Sequence, residues 1–213
     1  METTRFDITV RRITTLLAVV IITLVLIGAT TGVLISFYYE PGAGKAYESL
    51  AKISTEVTYG WLFLKAHEIA GNGVIVVGLI QIVMLFLGRQ FRKNWLIAWV
   101  SGILFTLSAI GLSWTAIILG WSQEGYWRFN IELGTIKSLP VIGNQLRDIL
   151  TGGGGVDSVT IQHLYTIHSY IVAVIALTLA IVHLVSVFWQ EKQTDNEIPK
   201  TESAEITELR SLS

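Results

Sequence analysis

The chain contains no cysteine. This absence excludes disulfides, thiolate metal sites, Cys-ligated iron–sulfur clusters and cofactors attached through thioether bonds. Methionine is scarce too, with 2 residues including the first, so any bound metal must be held mainly by nitrogen or oxygen. Charge is also low, since charged residues make up 15% of the chain and the formal net charge is −1. That balance gives no electrostatic reason to expect a nucleic-acid partner.

The sequence is instead rich in apolar residues, at 52% hydrophobic with a mean hydropathy of +0.58. Uncharged apolar stretches of about 20 residues, the length that crosses a bilayer core, occur four times. We therefore predict an all-α integral membrane four-helix bundle over residues 13–189, within a lipid bilayer. The predicted spans are 13–39, 60–88 (uncharged from 69), 94–121 and 158–189. A segment at 1–12 precedes them, and a polar tail, predicted to be disordered, follows at 190–213.

Lys and Arg near the span ends favour one orientation, because cytoplasmic loops carry an excess of these residues. With this rule both termini are predicted to be cytoplasmic, and spans two and four run in the same direction. The predicted location is a prokaryotic cell membrane, which is part of the functional hypothesis below. The opposite loops are 40–59 and 122–157, and the second is long enough for a surface helix around 141–150. The residues that set the orientation are Arg5, Arg11, Arg12, Arg89, Arg92, Lys93 and Lys192.

Spans two and four carry histidines at comparable heights. His67 precedes Gln81 by 14 residues, which is about 21 Å along a helix and within about 40° of the same face. His168 precedes His183 by 15 residues, which is about 22 Å and about 60° off the same face. Two parallel helices therefore present His67 opposite His168 near the outer side, and Gln81 opposite His183 near the inner side.

Such an arrangement suits an iron porphyrin between two helices, which needs one neutral imidazole from each side. The macrocycle also needs small residues nearby, and Gly32, Gly71 and Gly111 are candidates. The alternative is that these histidines make polar contacts within the membrane and that the glycines serve helix packing, which is common in membrane helices. His163, near the start of span four, is predicted to be an interfacial or loop-contacting residue.

Several sequence motifs are similar to motifs of a known family. The chain resembles the amino-terminal four-helix half of cytochrome b over about 12–189, most closely the short form, cytochrome b6, of quinol-oxidising bc-type complexes. The 15-residue spacing of the span-four histidines is that of the b6 branch. The motifs are FYYEP at 37–41, TEVTYGWL at 55–62, GYW at 125–127, LPVIG at 139–143 and LYTIH at 164–168.

The resemblance implies that His67 and His168 ligate a haem b near the outer surface, and that His183 is one ligand of a second, inner haem. The position of the second ligand of that haem is occupied by Gln81. A match to the family at 91–93 supports this alignment. The glutamine amide oxygen is a poor ligand for haem iron. Three outcomes therefore remain open: no inner haem with His183 hydrogen-bonded to Gln81, a haem held by His183 alone, or a haem with an unexpected ligand such as Met84.

The resemblance implies a b-type cytochrome subunit that carries electrons within a quinol-oxidising complex and is not a complete enzyme alone. Implied partners are a Rieske-type iron–sulfur subunit, a separate membrane subunit like subunit IV, and quinone, with a homodimer of the whole complex as a further option. Two alternatives are a haem-bearing membrane anchor of another oxidoreductase and a non-redox membrane scaffold derived from cytochrome b. On the inner side, residues 188–191 replace the basic stretch usual in the family.

Overall fold

The computed structural model describes residues 5–88 and 95–197, and within these residues the fold is all-α. A π-helical segment, Ile167–Val172, joins α7 to α8 without a break. The predicted loop that holds Arg89, Arg92 and Lys93 lies outside the described residues, as do residues 1–4 and 198–213. The helices are α1 (Arg5–Ser36), α2 (Ala46–Glu56), α3 (Gly60–Leu87), α4 (Leu96–Leu119), α5 (Gln123–Lys137), α6 (Gly143–Thr151), α7 (Ser158–Thr166) and α8 (Ala173–Glu197).

Within the described residues, four helices are long and apolar enough to cross a membrane, as predicted. A helix satisfies its own backbone hydrogen bonds, which is what lipid demands of a spanning segment. Large apolar side chains such as Leu16 and Ile69 point outward, at 65% and 59% exposed, where acyl chains can cover them. The chain is therefore a multi-pass integral membrane protein. Its spans are Thr9–Ser36, Gly60–Leu87, Leu96–Leu119 and Ser158–Lys192.

The spanning helices form a four-membered ring. Helix α1 packs against α3 and α8, and α4 packs against the same two helices from the other side. Helix α3 and the fourth span therefore lie diagonally across the bundle, so that residues on their inner faces meet near its axis. The central core is built from a mixture of large and small residues, as close helix approach in a membrane requires. Its buried members are Ile21, Val74, Phe105, Ala109, Ala176 and Ala180.

The loops that join the first span to the second and the third span to the fourth are more helical than the sequence indicated. Helix α6 corresponds to the surface helix predicted around 141–150, whereas α2 and α5 were not predicted, because their mixed polar composition lacks a long apolar run. Gly60 allows α2 to pack on α3, since a Cβ atom there would collide with the Ile53 carbonyl oxygen. The Asp157 side chain begins α7 with a capping box that also involves Thr160. The Tyr39 hydroxyl donates to the Leu119 carbonyl at 2.8 Å. The pKa of the Tyr39 phenol is raised, mainly by burial and to a smaller extent by the charge of Tyr165.

The fourth span is longer than predicted. Helix α8 continues to Glu197, past the predicted end of the span at 189 and into the segment predicted to be a disordered tail. Its C-terminal part is tied to α1, since the Thr15 hydroxyl donates to Glu191 Oε2 at 2.8 Å. This contact gives Glu191 a partner on the neighbouring helix.

Candidate functional site

His67 and His168, the pair predicted on the outer side, meet across the bundle axis; they are called the outer pair below, and Gln81 and His183 are called the inner pair. His67 lies on α3 and His168 lies in the π-helical segment, with ring centroids 6.4 Å apart and ring planes at 54°. A metal bonded to both imidazoles at about 2 Å, with each bonding nitrogen about 1.1 Å from its ring centroid, would set the centroids about 6.2 Å apart. The observed spacing therefore fits one metal centre held between the two rings.

Both rings are held by their Nδ1 atoms. His67 Nδ1 lies 2.9 Å from the Gly28 carbonyl oxygen and 3.2 Å from Thr31 Oγ1. His168 Nδ1 lies 2.8 Å from Thr115 Oγ1. Metal-binding histidines usually donate their second ring N–H to such an acceptor, which fixes the tautomer and the ring orientation. The hydrogen-bond network therefore assigns the proton to Nδ1 and leaves each Nε2 lone pair available as a ligand.

The three glycines expected beside the cofactor have different surroundings. Gly32 touches the site directly, because a Cβ atom there would lie 3.1 Å from His67 Cε1. A Cβ atom at Gly111 would lie 3.9 Å from Val172 Cγ1, and at Gly71 it would meet nothing within 4 Å. Of these three glycines, Gly32 is therefore the one that packs against the His67 ring.

The π-helical segment aligns the histidines of the fourth span with the ligand positions of the second span. A π-helical turn holds one residue more than an α-helical turn, because its hydrogen bonds run from i to i+5. With one residue absorbed, the spacing from His168 to His183 acts as 14 α-helical steps, which bring the side chain within about 40° of the same face. That angle equals the one expected between His67 and Gln81. The segment therefore matches both pairs across the bundle.

The inner pair is in direct contact. Gln81 Nε2 lies 2.8 Å from His183 Nε2 and 3.1 Å from the Thr14 carbonyl oxygen. His183 Nδ1 lies 2.9 Å from the Ala98 carbonyl oxygen and 3.5 Å from Ser101 Oγ. Gln81 is 1% exposed and His183 is 0% exposed, so no lipid or water competes for these bonds. The sequence placed these two residues opposite each other, and the structure shows that they form a buried hydrogen bond.

His163 stands apart from both pairs. It is exposed, and its Nδ1 lies 2.9 Å from the Ile149 carbonyl oxygen, which links α7 to α6. The sequence predicted an interfacial or loop-contacting residue, and the contact observed is with α6, within the connection at 122–157. His163 therefore provides a natural comparison for the membrane-embedded histidines.

Sequence reasoning missed the groups that hold the imidazoles. Thr31 and Thr115 lie on α1 and α4, which carry no histidine, so no spacing within a single helix could pair them with His67 or His168. A weak signal was present, because each threonine lies close in sequence to a glycine that was expected near the cofactor. The other missed groups are the carbonyls of Gly28, Ala98 and Thr14 and the hydroxyl of Ser101.

The comparison with known proteins agrees with this geometry. The family described as Cytochrome b/b6/petB matches residues 8–191. The chain belongs to the cytochrome b/b6 family. Four spanning helices and facing histidines on the second and fourth of them are the features of the structure that accord with this membership.

The curated relatives of this cytochrome b/b6 chain are distant. Cytochrome b6 of Cyanidium caldarium is 27% identical over 166 residues, covering 78% of this chain and 77% of the relative. Cytochrome b6 of Mastigocladus laminosus is 28% identical over 166 residues, with the same shares of 78% and 77%. Cytochrome b6 of Auxenochlorella protothecoides is 28% identical over 162 residues, covering 76% of this chain and 75% of the relative.

A solved structure described as "Hyperthermophilic respiratory Complex III" has the same fold. One of its chains superimposes with a TM-score of 0.71 at 22% identity, covering 80% of this chain. This chain spans 46% of the length of that one. At such low identity the likeness concerns the fold alone.

Proposed function

We propose that this chain is the b-type cytochrome subunit of a quinol-oxidising cytochrome bc-type complex and that His67 and His168 hold one haem b. The observation that carries the proposal is the 6.4 Å spacing of two imidazoles across the bundle axis. Two facing imidazoles suit a porphyrin iron, because the macrocycle supplies the remaining nitrogen ligands. When bound, the haem supplies a one-electron redox centre inside the membrane.

The residues of the chain prepare this site in three ways. The Gly28 carbonyl and the Thr31 hydroxyl orient His67, and the Thr115 hydroxyl orients His168. Both rings are neutral in this arrangement, which avoids placing a charge in the membrane interior. The apolar bundle around them also keeps water away, and burial and low polarity are among the means by which a protein tunes a haem potential.

The proposed partners follow from the family. The curated relatives named above are cytochrome b6 proteins, and the resemblance to that family implies these partners. We therefore place a separate membrane subunit like subunit IV beside this chain, together with a Rieske-type iron–sulfur subunit. Quinol would be oxidised at the outer face of this assembly, which we expect to be a homodimer in a prokaryotic cell membrane.

Optical spectra of the purified full-length chain test the haem assignment. We expect a reduced-minus-oxidised spectrum of the b type, its loss in His67→Ala, and its retention in His163→Ala, the matched control outside the bundle axis. A wild-type chain without b-type absorption would refute the haem and leave the scaffold alternative. An unchanged spectrum in His67→Ala would refute the ligand assignment.

The native partners test the complex. We expect an iron–sulfur subunit and a second membrane subunit to co-purify with the chain from its own membranes in mild detergent. Co-purification with a different, soluble oxidoreductase would instead establish the chain as a haem-bearing anchor. Because the spectra do not depend on the partners, the two assignments can fail separately.

A further inference from the structure

We infer that a hydrogen bond between Gln81 and His183 closes the inner site to haem, so that the chain carries a single haem, in its outer half. The inference rests on the proposed function for the outer haem. It concerns the corner of the bundle where the family resemblance implies a second cofactor and where the chain has a glutamine in place of a histidine. Three features of the inner pair support it.

The first feature is distance. A metal bonded to a donor atom on each side at about 2 Å separates the two donors by about 4 Å. Gln81 Nε2 and His183 Nε2 are only 2.8 Å apart, so nothing fits between them while this bond exists. The outer rings of His67 and His168, in contrast, are spaced as a shared metal requires. The two ends of the same bundle therefore differ in whether they leave room for a metal.

The second feature is the chemistry of the donors. His183 Nδ1–H donates to the Ala98 carbonyl, so the Nε2 lone pair, which would bind iron, instead accepts a hydrogen bond from Gln81. The other amide N–H of Gln81 donates to the Thr14 carbonyl. Turning the amide over would set its oxygen against two acceptors, so its orientation is fixed. Gln81 therefore presents an amide nitrogen to His183, and an amide nitrogen that only donates is not a metal ligand.

This orientation of the Gln81 amide leaves its oxygen, Oε1, without a hydrogen bond among the described residues. The atom is buried. A buried carbonyl oxygen without a partner is unfavourable, so the amide gives up one acceptor bond in order to make two donor bonds. The hydrogen bonds to His183 and Thr14 therefore determine the orientation of the Gln81 side chain.

The third feature is packing. The His183 ring lies against the backbone of α4, because a Cβ atom at Gly102 would come within 3.0 Å of His183 Cε1. Towards the inner end, a buried apolar cluster fills the bundle between the four spans. Its members are Ala18, Leu85, Trp95, Ala98 and Val187.

Together the polar contacts join all four spans. Thr14 is on α1, Gln81 on α3, Ala98 on α4 and His183 on α8, and hydrogen bonds connect them in one buried chain. Interhelical hydrogen bonds are among the interactions that hold membrane helices together. Gln81 thus acts as a positioning residue that joins the helices directly where a cofactor would otherwise lie between them. The chain then lacks a second redox centre about 21 Å further inward, the rise expected over 14 helical residues.

Haem stoichiometry of the full-length chain tests the inference. We expect about one haem per chain in the wild type and about one in His183→Gln, which keeps a hydrogen-bonding side chain beside Gln81. His67→Ala should fall to about zero. Two haems in the wild type, with one lost in His183→Gln, would overturn the inference and leave the outer haem intact. No haem in the wild type would overturn the proposed function instead.

A gain of haem tests the role of Gln81 itself. In Gln81→His, an imidazole replaces the amide opposite His183, and we expect the stoichiometry to rise from about one to about two. Gln81→Leu, which removes the hydrogen bond without adding a ligand, should remain near one. An unchanged outer-haem spectrum shows that each variant is folded. A folded Gln81→His chain that still holds one haem would overturn the claim that Gln81 closes the site.

Discussion

Replacing Thr115 by valine is the sharpest test of how the outer site is held. The Thr115 hydroxyl lies 2.8 Å from His168 Nδ1 and the residue is 3% exposed. Valine has nearly the same shape but no oxygen, so Thr115→Val removes the closest acceptor of the His168 N–H and leaves only its weaker contact with the Leu112 carbonyl. Losing the partner of a buried donor costs about 1–3 kcal/mol. Since each 1.4 kcal/mol is a factor of about ten in affinity, we expect haem to bind between about fivefold and about 140-fold more weakly.

Two other threonines provide controls for this substitution. Thr106 lies on the same helix, is equally buried at 3% exposed, and donates only to the Gly102 carbonyl at 2.8 Å. Thr106→Val should therefore leave haem affinity unchanged. Thr31 touches His67 Nδ1 at 3.2 Å, but the Gly28 carbonyl is closer, at 2.9 Å, and remains in Thr31→Val. That variant should weaken binding by less than about threefold.

The assay is haem titration of the apo-chain in detergent, followed by the b-type absorbance, with circular dichroism as the check on folding. The expected order of affinity is wild type and Thr106→Val, then Thr31→Val, then Thr115→Val. Equal affinities for Thr115→Val and Thr106→Val would refute the argument that the Thr115 hydroxyl holds the ligand. A larger loss in Thr31→Val than in Thr115→Val would show that the Gly28 carbonyl does not hold His67 by itself.

Three further predictions concern the surroundings of the site. Gly32→Ala should displace the His67 ring and so lower haem occupancy, measured as the ratio of haem to protein. Gly71→Ala is the control, because a Cβ atom there meets nothing within 4 Å, and it should leave this ratio unchanged. Asp157→Ala removes the capping box of α7 and should reduce stability by about 1 kcal/mol, measured by thermal unfolding and contradicted by an unchanged midpoint. Because the pKa of Tyr39 is raised in the folded chain, stability should fall as the pH rises past about 10, where tyrosine ionises in an unfolded chain. Tyr39→Phe should be less stable near neutral pH and should lose less stability in alkali, and an equally steep alkaline loss would contradict the assignment.

The spanning architecture could be predicted from the sequence because the physics is local. A bilayer requires a long apolar helix, and such a stretch is visible without knowledge of its neighbours. The ends of the spans moved by a few residues, and α8 extends to Glu197, since helix ends depend on caps and tertiary contacts. Helices α2 and α5 escaped prediction because they are short and polar and are stabilised by packing against the bundle.

The site was predictable only in outline. Helix rise gives the height of a residue along its span, and it placed His67 with His168 and Gln81 with His183. The π-helical segment at His168 could not be predicted from the sequence, because residues of the same types form α-helical and π-helical turns. Thr115 and Thr31 were not visible either, since their contacts join helices that are far apart in the chain.

The sequence by itself determined a four-span membrane protein with histidines at two heights, because hydrophobic length and helical period are properties of a single segment. Only the tertiary structure decided that the outer pair is spaced for a shared metal while the inner pair is joined at 2.8 Å. Spacing within a helix cannot give the distance across a bundle, which depends on how closely the helices pack and on what their side chains bind. The Gln81 amide also has two acceptors to satisfy, the His183 ring and the Thr14 carbonyl, and they come together only when three different helices pack.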